Sequence, residues 1–215
     1  EHQSEIAARL IRHGEELLRA KRGVTEFSRN AESDKLLNDL DGYPHAFVIA
    51  CLVDRQMTAE KAWLVPYMLS QRLCGFSFEH LQLLTESQIA HAFRKPTPLH
   101  RFPDVMSKCV FLAIRRISDV YGGNAARIWM GKPPSADVVL RFLAFQGFGP
   151  KLATMAANIL ARDFKVEFSD YYSVDVSVDV QLRRVFTRLG LVPERASVEQ
   201  IVYKARAFNP TFPGL

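Results

Sequence analysis

Two glycines separated by one aromatic residue, Gly147 and Gly149, constrain this chain more than any other feature of its sequence. An apolar helical pattern runs up to Phe145, and Pro150 and Lys151 begin a second one. Because glycine adopts backbone conformations closed to other residues, the pair allows two helices to be joined by a tight hairpin. The second helix starts with unpaired backbone N–H groups, which attract anions. Lys151 in its first turn therefore fits either a phosphate contact or a nucleophile.

Helical periodicity extends over most of the remaining chain. Alternating apolar residues at 172–178 are compatible with a short strand, but no partner strand is evident, so we predict a loop there. The sequence predicts an all-α fold of two lobes, one formed by residues 41–150 and the other by residues 1–40 together with 151–215. The predicted helices cover residues 4–21, 31–40, 43–55, 58–73, 104–120, 135 to the hairpin, 151–162, 179–190 and 197–207, with short ones near 77–79, 85–88 and 124–130.

Composition and charge exclude few functions. The 215 residues carry a formal net charge of +5, which is compatible with a polyanionic partner but weak as an indication of one. The three cysteines, Cys51, Cys74 and Cys109, fit no metal-site or iron–sulfur spacing, and their odd number argues against a disulfide framework. We therefore expect a reducing, intracellular compartment. No apolar run approaches the roughly 20 residues of a membrane span. The Pro-rich stretch at 209–215 is typical of a segment that precedes further chain.

A second informative segment lies at residues 177–190. Asp179 stands where a helix N-cap belongs, and the residues after it form an amphipathic helix. Capping alone would explain this aspartate. The apolar stripe of the helix consists of Leu182, Val185, Phe186 and Leu189.

The two segments together, in this order, resemble the helix-hairpin-helix superfamily of DNA glycosylases, which includes endonuclease III and the 8-oxoguanine glycosylase/lyases. The matching residues are Gly147-x-Gly149-x-Lys151, then Val178-Asp179-Val180 and an Arg-Val…Arg-Leu-Gly helix. The resemblance is clearest over residues 139–190 and extends more weakly back to about residue 43. It implies a two-lobed helical fold that binds DNA in the cleft between the lobes.

The resemblance also implies catalytic roles. Lys151 matches the lysine that attacks C1′ of the damaged nucleotide and forms a Schiff base, and Asp179 matches the aspartate that stabilises the positive charge developing on the sugar. Lysine attacks only as the neutral amine, which partial burial and the positive end of a helix both favour. A phosphate-binding role for Lys151 stays open, and Asp175, in a similar Val-Asp-Val context, competes with Asp179.

Further roles follow for the hairpin. Gly147, Phe148 and Gly149 match a loop that grips the DNA backbone through main-chain N–H groups. The main-chain carbonyls of Leu143, Phe145 and Phe148 match those that hold a monovalent cation in this superfamily. The resemblance implies no other required cofactor. No cysteine follows Cys109, so we expect no [4Fe–4S] cluster in this chain.

Base flipping needs a side chain that fills the vacated space, and Gln56 matches the glutamine that does so in this superfamily. A helix end with surface polar groups is the alternative for this segment. Residues 99–102, Leu-His-Arg-Phe, match a region that often supplies a second wedge, without favouring one of the four. The candidates for stacking on, or lining, the damaged-base pocket are Trp63, Tyr67, Trp129, Met155, Phe208 and Phe212.

The resemblance predicts a base-excision-repair glycosylase with associated AP lyase activity. We expect a monomer that acts on double-stranded DNA containing a damaged base. We expect it to be intracellular, located with the DNA in the nucleus or nucleoid, and to have no membrane partner. Two residues after the aspartate, many members of the superfamily have a histidine, whereas this chain has Gln181. Residues 163–178 resemble a longer loop found in some 8-oxoguanine-specific branches of the superfamily. The lysine nucleophile is typical of members that excise oxidised bases, so we expect an oxidised base as the substrate. A mismatched base is the alternative substrate. The alternatives are a non-catalytic DNA-binding protein and a helical interaction protein.

Overall fold

The computed structural model describes residues 2–215 of the chain, with side chains from residue 3 onward. That part of the chain contains helices and irregular segments but no strand, so the prediction of an all-α fold is confirmed. None of its helices is long and apolar enough to cross a membrane. The helices are α1 (His2–Arg19), α2 (Ala31–Asn38), α3 (Pro44–Val53), α4 (Ala59–Arg72), α5 (Phe78–Leu81), α6 (Glu86–Arg94), α7 (Pro103–Tyr121), a 3-10 helix (Ala125–Ile128), α8 (Ser135–Leu143), α9 (Pro150–Arg162), α10 (Val180–Arg188) and α11 (Val198–Phe208).

Helix boundaries agree closely with the pattern in the sequence because local capping signals set them. Thr85 caps α6, and its side chain and backbone exchange hydrogen bonds with Gln88, which together form a capping box. Ser197 and Gln200 form the same arrangement at the start of α11. Residues 172–178 form the predicted irregular segment.

The chain divides into two compact units. We call residues 24–131 and 142–148 the central unit, and residues up to 23, 132–141 and 149–215 the terminal unit. The expected boundaries lie at residues 40 and 150. The division differs from them in two segments, 24–40 and 132–141, and by the two residues 149 and 150 at the end of the hairpin.

Specific contacts explain the differences in both segments. In the central unit, Phe27 stacks on Trp63 of α4 at 4.3 Å between ring centroids, and Ser33 Oγ donates to the Trp63 carbonyl at 3.2 Å. In the terminal unit, the Ser135 hydroxyl donates to the Asp170 carboxylate at the start of α8. These bonds join residues that are far apart in sequence, which local patterns do not reveal.

The core of the central unit is built around α3. All ten residues of this helix are buried, and α4 and α7 pack against it. His45 is the polar residue among them, and its Nε2 bonds to the Phe76 carbonyl at 2.7 Å. An apolar helix buried all round is the arrangement that the continuous apolar run at 46–53 predicts.

In the terminal unit, α10 and α11 enclose a small apolar cluster that also fixes the approach to Asp179. Val176 and Val178 pack against the cluster from the irregular segment, and Ile6 packs against it from α1. The backbone on either side of Ser177 is thereby anchored. The buried members of the cluster are Phe186, Leu191, Val192, Ala196, Ile201 and Ala205.

Candidate functional site

The segment between α8 and α9 has the predicted form of a helix, a glycine turn and a second helix. Helix α8 ends at Leu143, and α9 begins at Pro150 with Gly149 as its N-cap residue. Lys151 is thus the second residue of α9, as expected. Its side chain is exposed, so the expected partial burial of the amine is wrong for the free chain. Any desolvation of this amine would have to come from a bound ligand.

Asp179 is the N-cap of α10, as the sequence predicts. Its Oδ1 accepts a hydrogen bond from the Leu182 N–H at 2.7 Å, and the residue is exposed. Two residues earlier, Ser177 Oγ donates to the Lys151 carbonyl at 3.0 Å. This bond attaches the segment that carries Asp179 to the first turn of α9, so the terminal unit brings the two predicted catalytic residues into the same region.

Asp175 has a different environment. Its two carboxylate oxygens accept hydrogen bonds from Nε and an NH2 group of Arg206, both at 2.7 Å. This pairing raises the pKa of Arg206 above its ordinary value. Because its carboxylate is already engaged and its side chain is only 14% exposed, Asp175 is a poorer candidate than Asp179 for the charge-stabilising role.

The hairpin requires a glycine at position 147 for two independent reasons. Gly147 has φ +101°, a conformation that residues with a Cβ rarely adopt. A Cβ there would also lie 2.9 Å from Leu52 Cδ1 and 3.2 Å from Cys109 Sγ. The turn is fixed from within by a hydrogen bond from the Phe148 N–H to the Phe145 carbonyl, at 3.1 Å, and by the burial of both aromatic side chains.

Gly149 contrasts with Gly147. Its φ is −104°, which any residue adopts, and among the described residues no atom lies near enough to contact a Cβ built at this position. The fold itself therefore gives no reason for a glycine here. An open position at the start of a helix is what the close approach of an external backbone needs.

The three carbonyls predicted to hold a monovalent cation belong to Leu143, Phe145 and Phe148. Phe145 O accepts one hydrogen bond, from the Phe148 N–H, and a carbonyl oxygen has a second lone pair. The hairpin therefore retains acceptor capacity for a cation at this residue. Among the described side chains, no group of three or more His, Cys, Asp or Glu residues is placed to bind a metal.

Gln56 lies in a tight turn after α3 and has a left-handed backbone with φ +55°. Its side chain is exposed, as a residue that inserts into DNA must be. The alternative view, a helix end with surface polar groups, also describes its location, because α3 ends only three residues earlier.

The structure separates the four residues that follow the Pro-rich loop. His100 is buried, with 4% exposure, whereas Arg101 and Phe102 are exposed and the Arg101 guanidinium lies 5.5 Å from the Phe102 ring centroid. Leu99 is half-buried. Only Arg101 and Phe102 are therefore accessible enough to act as a wedge in the free chain.

Most aromatic candidates for the base pocket belong to the core. Trp63 stacks on Phe27, and Trp129 packs edge-on against Phe47. Phe212 is also buried, against the ring of Tyr171. Tyr67, Met155 and Phe208 keep partial exposure.

Sequence reasoning missed Arg55, the residue before Gln56. Its NH1 group donates to the Gly147 carbonyl at 3.3 Å, which joins the Gln56 turn to the hairpin within the central unit. The two residues are 92 positions apart. No local pattern signals this bond.

Comparison with known proteins shows which solved structures have a similar fold. Neither a family model nor a curated protein sequence matches the chain. Among solved structures, an 8-oxoguanine glycosylase/lyase from Clostridium acetobutylicum superposes with a TM-score of 0.57 at 15% identity, over 95% of this chain and 67% of that one. Endonuclease III trapped in a covalent intermediate with DNA gives 0.56 at 16% identity, over 85% and 77% of the two chains. The chain therefore has the same all-helical fold as these two enzymes.

The 8-oxoguanine DNA glycosylase of Methanocaldococcus jannaschii shares this fold: it superposes with a TM-score of 0.53 at 15% identity over 97% of this chain and 88% of that one. At such low identity the likeness concerns the fold. Its bearing on chemistry depends on the residues described above.

Proposed function

We propose that this protein is a base-excision-repair DNA glycosylase with AP lyase activity. One observation supports the proposal most, in a chain with the fold of glycosylases. Ser177, which lies two residues before the α10 N-cap Asp179, donates a hydrogen bond to the Lys151 carbonyl. The backbone segments that carry the amine and the carboxylate are therefore joined within the terminal unit. The neighbours of similar fold include enzymes named as glycosylase/lyases and one trapped covalently on DNA.

In the proposed reaction, the neutral amine of Lys151 attacks C1′ of the damaged nucleotide. The new N–C1′ bond replaces the glycosidic bond, and the base leaves with the bonding electron pair and takes up a proton. The Asp179 carboxylate, fixed by the Leu182 N–H, offers a preorganised negative charge as the sugar becomes cationic. The attacking nitrogen loses its proton, and its electron pair then breaks the bond from C1′ to the ring oxygen, which takes up a proton; the product is a Schiff base. Loss of a C2′ proton then drives β-elimination, which breaks the bond from C3′ to its phosphate oxygen.

The hairpin would hold the DNA backbone during this sequence. Gly149 leaves the start of α9 open to a phosphate, and the N–H groups of the first turn of a helix favour anions. A monovalent cation on the carbonyls of Leu143, Phe145 and Phe148 would add positive charge between hairpin and phosphate. Gln56 would fill the space left by the flipped nucleotide.

Trapping with borohydride tests the nucleophile. Lys151→Gln should abolish covalent capture on DNA carrying a damaged base or an abasic site, because no other step forms the reducible Schiff base. Lys165→Gln is a matched control, since Lys165 lies outside the predicted site and its amine donates to the Leu17 carbonyl at 2.7 Å. Capture that survives in Lys151→Gln would show that another residue is the nucleophile.

Single-turnover excision tests the carboxylate. Asp179→Asn should slow excision by about a hundredfold or more, the scale on which a preorganised electrostatic group acts, and should leave DNA affinity nearly unchanged. Asp175→Asn is the matched control: it neutralises the neighbouring aspartate, which is paired with Arg206, and should retain most activity. Equal rates for Asp179→Asn and the parent would remove Asp179 from the mechanism.

A second candidate function is supported by the exposure of Lys151. An exposed lysine at a helix N-terminus suits a phosphate contact in a non-catalytic DNA-binding protein. Such a protein would bind duplexes with a strong salt dependence, yet would incise no member of a panel of single-lesion duplexes.

We propose an oxidised base as the substrate, because the lysine nucleophile matches the members of the superfamily that excise such bases. Incision of duplexes carrying one oxidised purine, one oxidised pyrimidine or one mismatch distinguishes the substrate classes. Preferred incision at the mismatch would contradict this assignment.

A further inference from the structure

Three segments of the central unit are candidates for DNA contact and lie far apart in sequence. They are the Gln56 turn, the exposed pair Arg101 and Phe102, and the hairpin tip at Gly147. A flipped nucleotide and its flanking backbone are covalently connected over a short distance in DNA. The protein groups that meet them therefore need fixed relative positions.

Arg55 connects the Gln56 turn to two other elements. Besides the bond from NH1 to the Gly147 carbonyl, its Nε and NH2 groups lie 3.4 and 3.5 Å from Met106 Sδ. Its NH2 group also lies 3.8 Å from Cys109 Sγ. One guanidinium thus contacts both the hairpin tip and α7.

His100 holds the backbone of Arg55 from the opposite side. Its Nδ1 accepts a hydrogen bond from the Phe102 N–H at 2.9 Å, so the ring proton lies on Nε2. Nε2 then donates to the Arg55 carbonyl, also at 2.9 Å. Because His100 is buried, water does not readily replace these bonds.

The geometry suits a guanidinium in particular. Its planar fork offers several donors in a fixed arrangement, so one side chain can serve a carbonyl and two sulfur atoms at once. The space is also limited, because a Cβ on Gly147 would lie 3.3 Å from the Arg55 NH2 group. Hairpin and guanidinium therefore fit closely, and neither moves far without breaking a charge-assisted hydrogen bond.

We propose that Arg55 is a positioning residue that locks the Gln56 turn to the glycine hairpin. Through this lock, insertion of Gln56 into the duplex and the grip of the hairpin on the backbone occur together at a flipped nucleotide. The inference rests on the proposed function, since it assigns Arg55 a part in recognising a flipped site in DNA.

The test compares binding to two duplexes that are identical except for one stable abasic-site analogue. The measured quantity is the ratio of the dissociation constants for the undamaged and the abasic duplex. Gln56→Ala should lower this ratio by about tenfold, because the space left by a flipped nucleotide is no longer filled. Arg55→Met keeps the apolar contacts with α7, loses the bond to Gly147, and should lower the ratio by a similar factor.

The double variant decides whether the two residues act together. If Arg55 acts by positioning Gln56, Arg55→Met combined with Gln56→Ala should lower the ratio no further than the larger single effect. Arg55→Lys retains one donor for the Gly147 carbonyl and should recover part of the ratio. Melting temperatures of all variants establish that the compared proteins are folded.

Arg115→Met is the matched control. It removes the same charge and a similar bond, from Arg115 NH1 to the Gln82 carbonyl at 3.1 Å, elsewhere in the central unit. It should leave the ratio unchanged.

Two results would overturn the lock: a parental ratio in Arg55→Met, or losses that multiply in the double variant. A parent protein that binds both duplexes equally would instead overturn the proposed function, and this inference with it.

Discussion

Position 147 is where a single residue decides the shape of the hairpin. Its positive φ and the crowding by Leu52 both exclude a side chain. We expect Gly147→Ala to lower the free energy of unfolding by about 2 kcal/mol or more, since backbone strain and overpacking act together. Urea unfolding of the variant measures this loss.

Position 149 should respond in the opposite way. Residue 149 has an ordinary backbone conformation and open space for a Cβ. Gly149→Ala should therefore change the free energy of unfolding by only about 0.5 kcal/mol or less. Its affinity for duplex DNA should nevertheless fall several-fold, because the methyl group would stand where the DNA backbone approaches. A Gly149→Ala protein that binds DNA as tightly as the parent would show that the hairpin does not approach DNA at this residue.

Helix α10 shows how one element combines stability and chemistry at its N-terminus. It has nine residues, of which Phe186 is buried, and a helix this short depends on its N-cap as well as on packing. Asp179 is that cap, and the same carboxylate is the proposed charge-stabilising group.

Two substitutions should separate the roles of this carboxylate. Asp179→Ala should cost about 1 kcal/mol of stability, whereas Asp179→Asn should cost little because asparagine caps helices as well as aspartate does. Both should slow excision strongly. Thermal unfolding measured beside excision rates provides the comparison, and a rate loss that simply followed the stability loss would reduce Asp179 to a structural cap.

The stability of the whole molecule should depend on pH because His45 is buried. Burial lowers the pKa of His45 from 6.5 to about 4, although its bond to Phe76 and the charge of Glu79 act in the opposite direction. Between these two values the unfolded chain binds a proton that the folded chain excludes. Stability should therefore fall as the pH drops from about 6.5 to about 4, by roughly 3 kcal/mol from this residue, with no further loss from it below pH 4.

The variant His45→Gln isolates this contribution, because glutamine retains a donor for the Phe76 carbonyl and does not titrate. Its unfolding free energy, measured by urea titration across this pH range, should fall less steeply than that of the parent. The same slope in both proteins would mean that His45 is not the group responsible.

The local elements of this protein can be predicted from its amino-acid sequence. The Thr85 capping box, the Asp179 cap and the glycine turn before Pro150 all depend on hydrogen bonds and backbone conformations within a few residues. Such signals are complete in the sequence because both partners of each bond are near neighbours. The resemblance to glycosylases rests on two such local segments, the glycine turn and the Asp179 cap, which is why the sequence is enough to reveal it.

The contacts between distant residues become visible in the three-dimensional fold. Arg55 at the Gly147 carbonyl, Ser177 at the Lys151 carbonyl and the exposure of Lys151 itself depend on how whole helices pack. The same packing buries Trp63 and Trp129, which the sequence could not distinguish from pocket residues. The physical reason is that the two partners of each contact are far apart in the sequence, so no local or periodic pattern links them. The contact forms only when the helices pack together and bury their apolar faces.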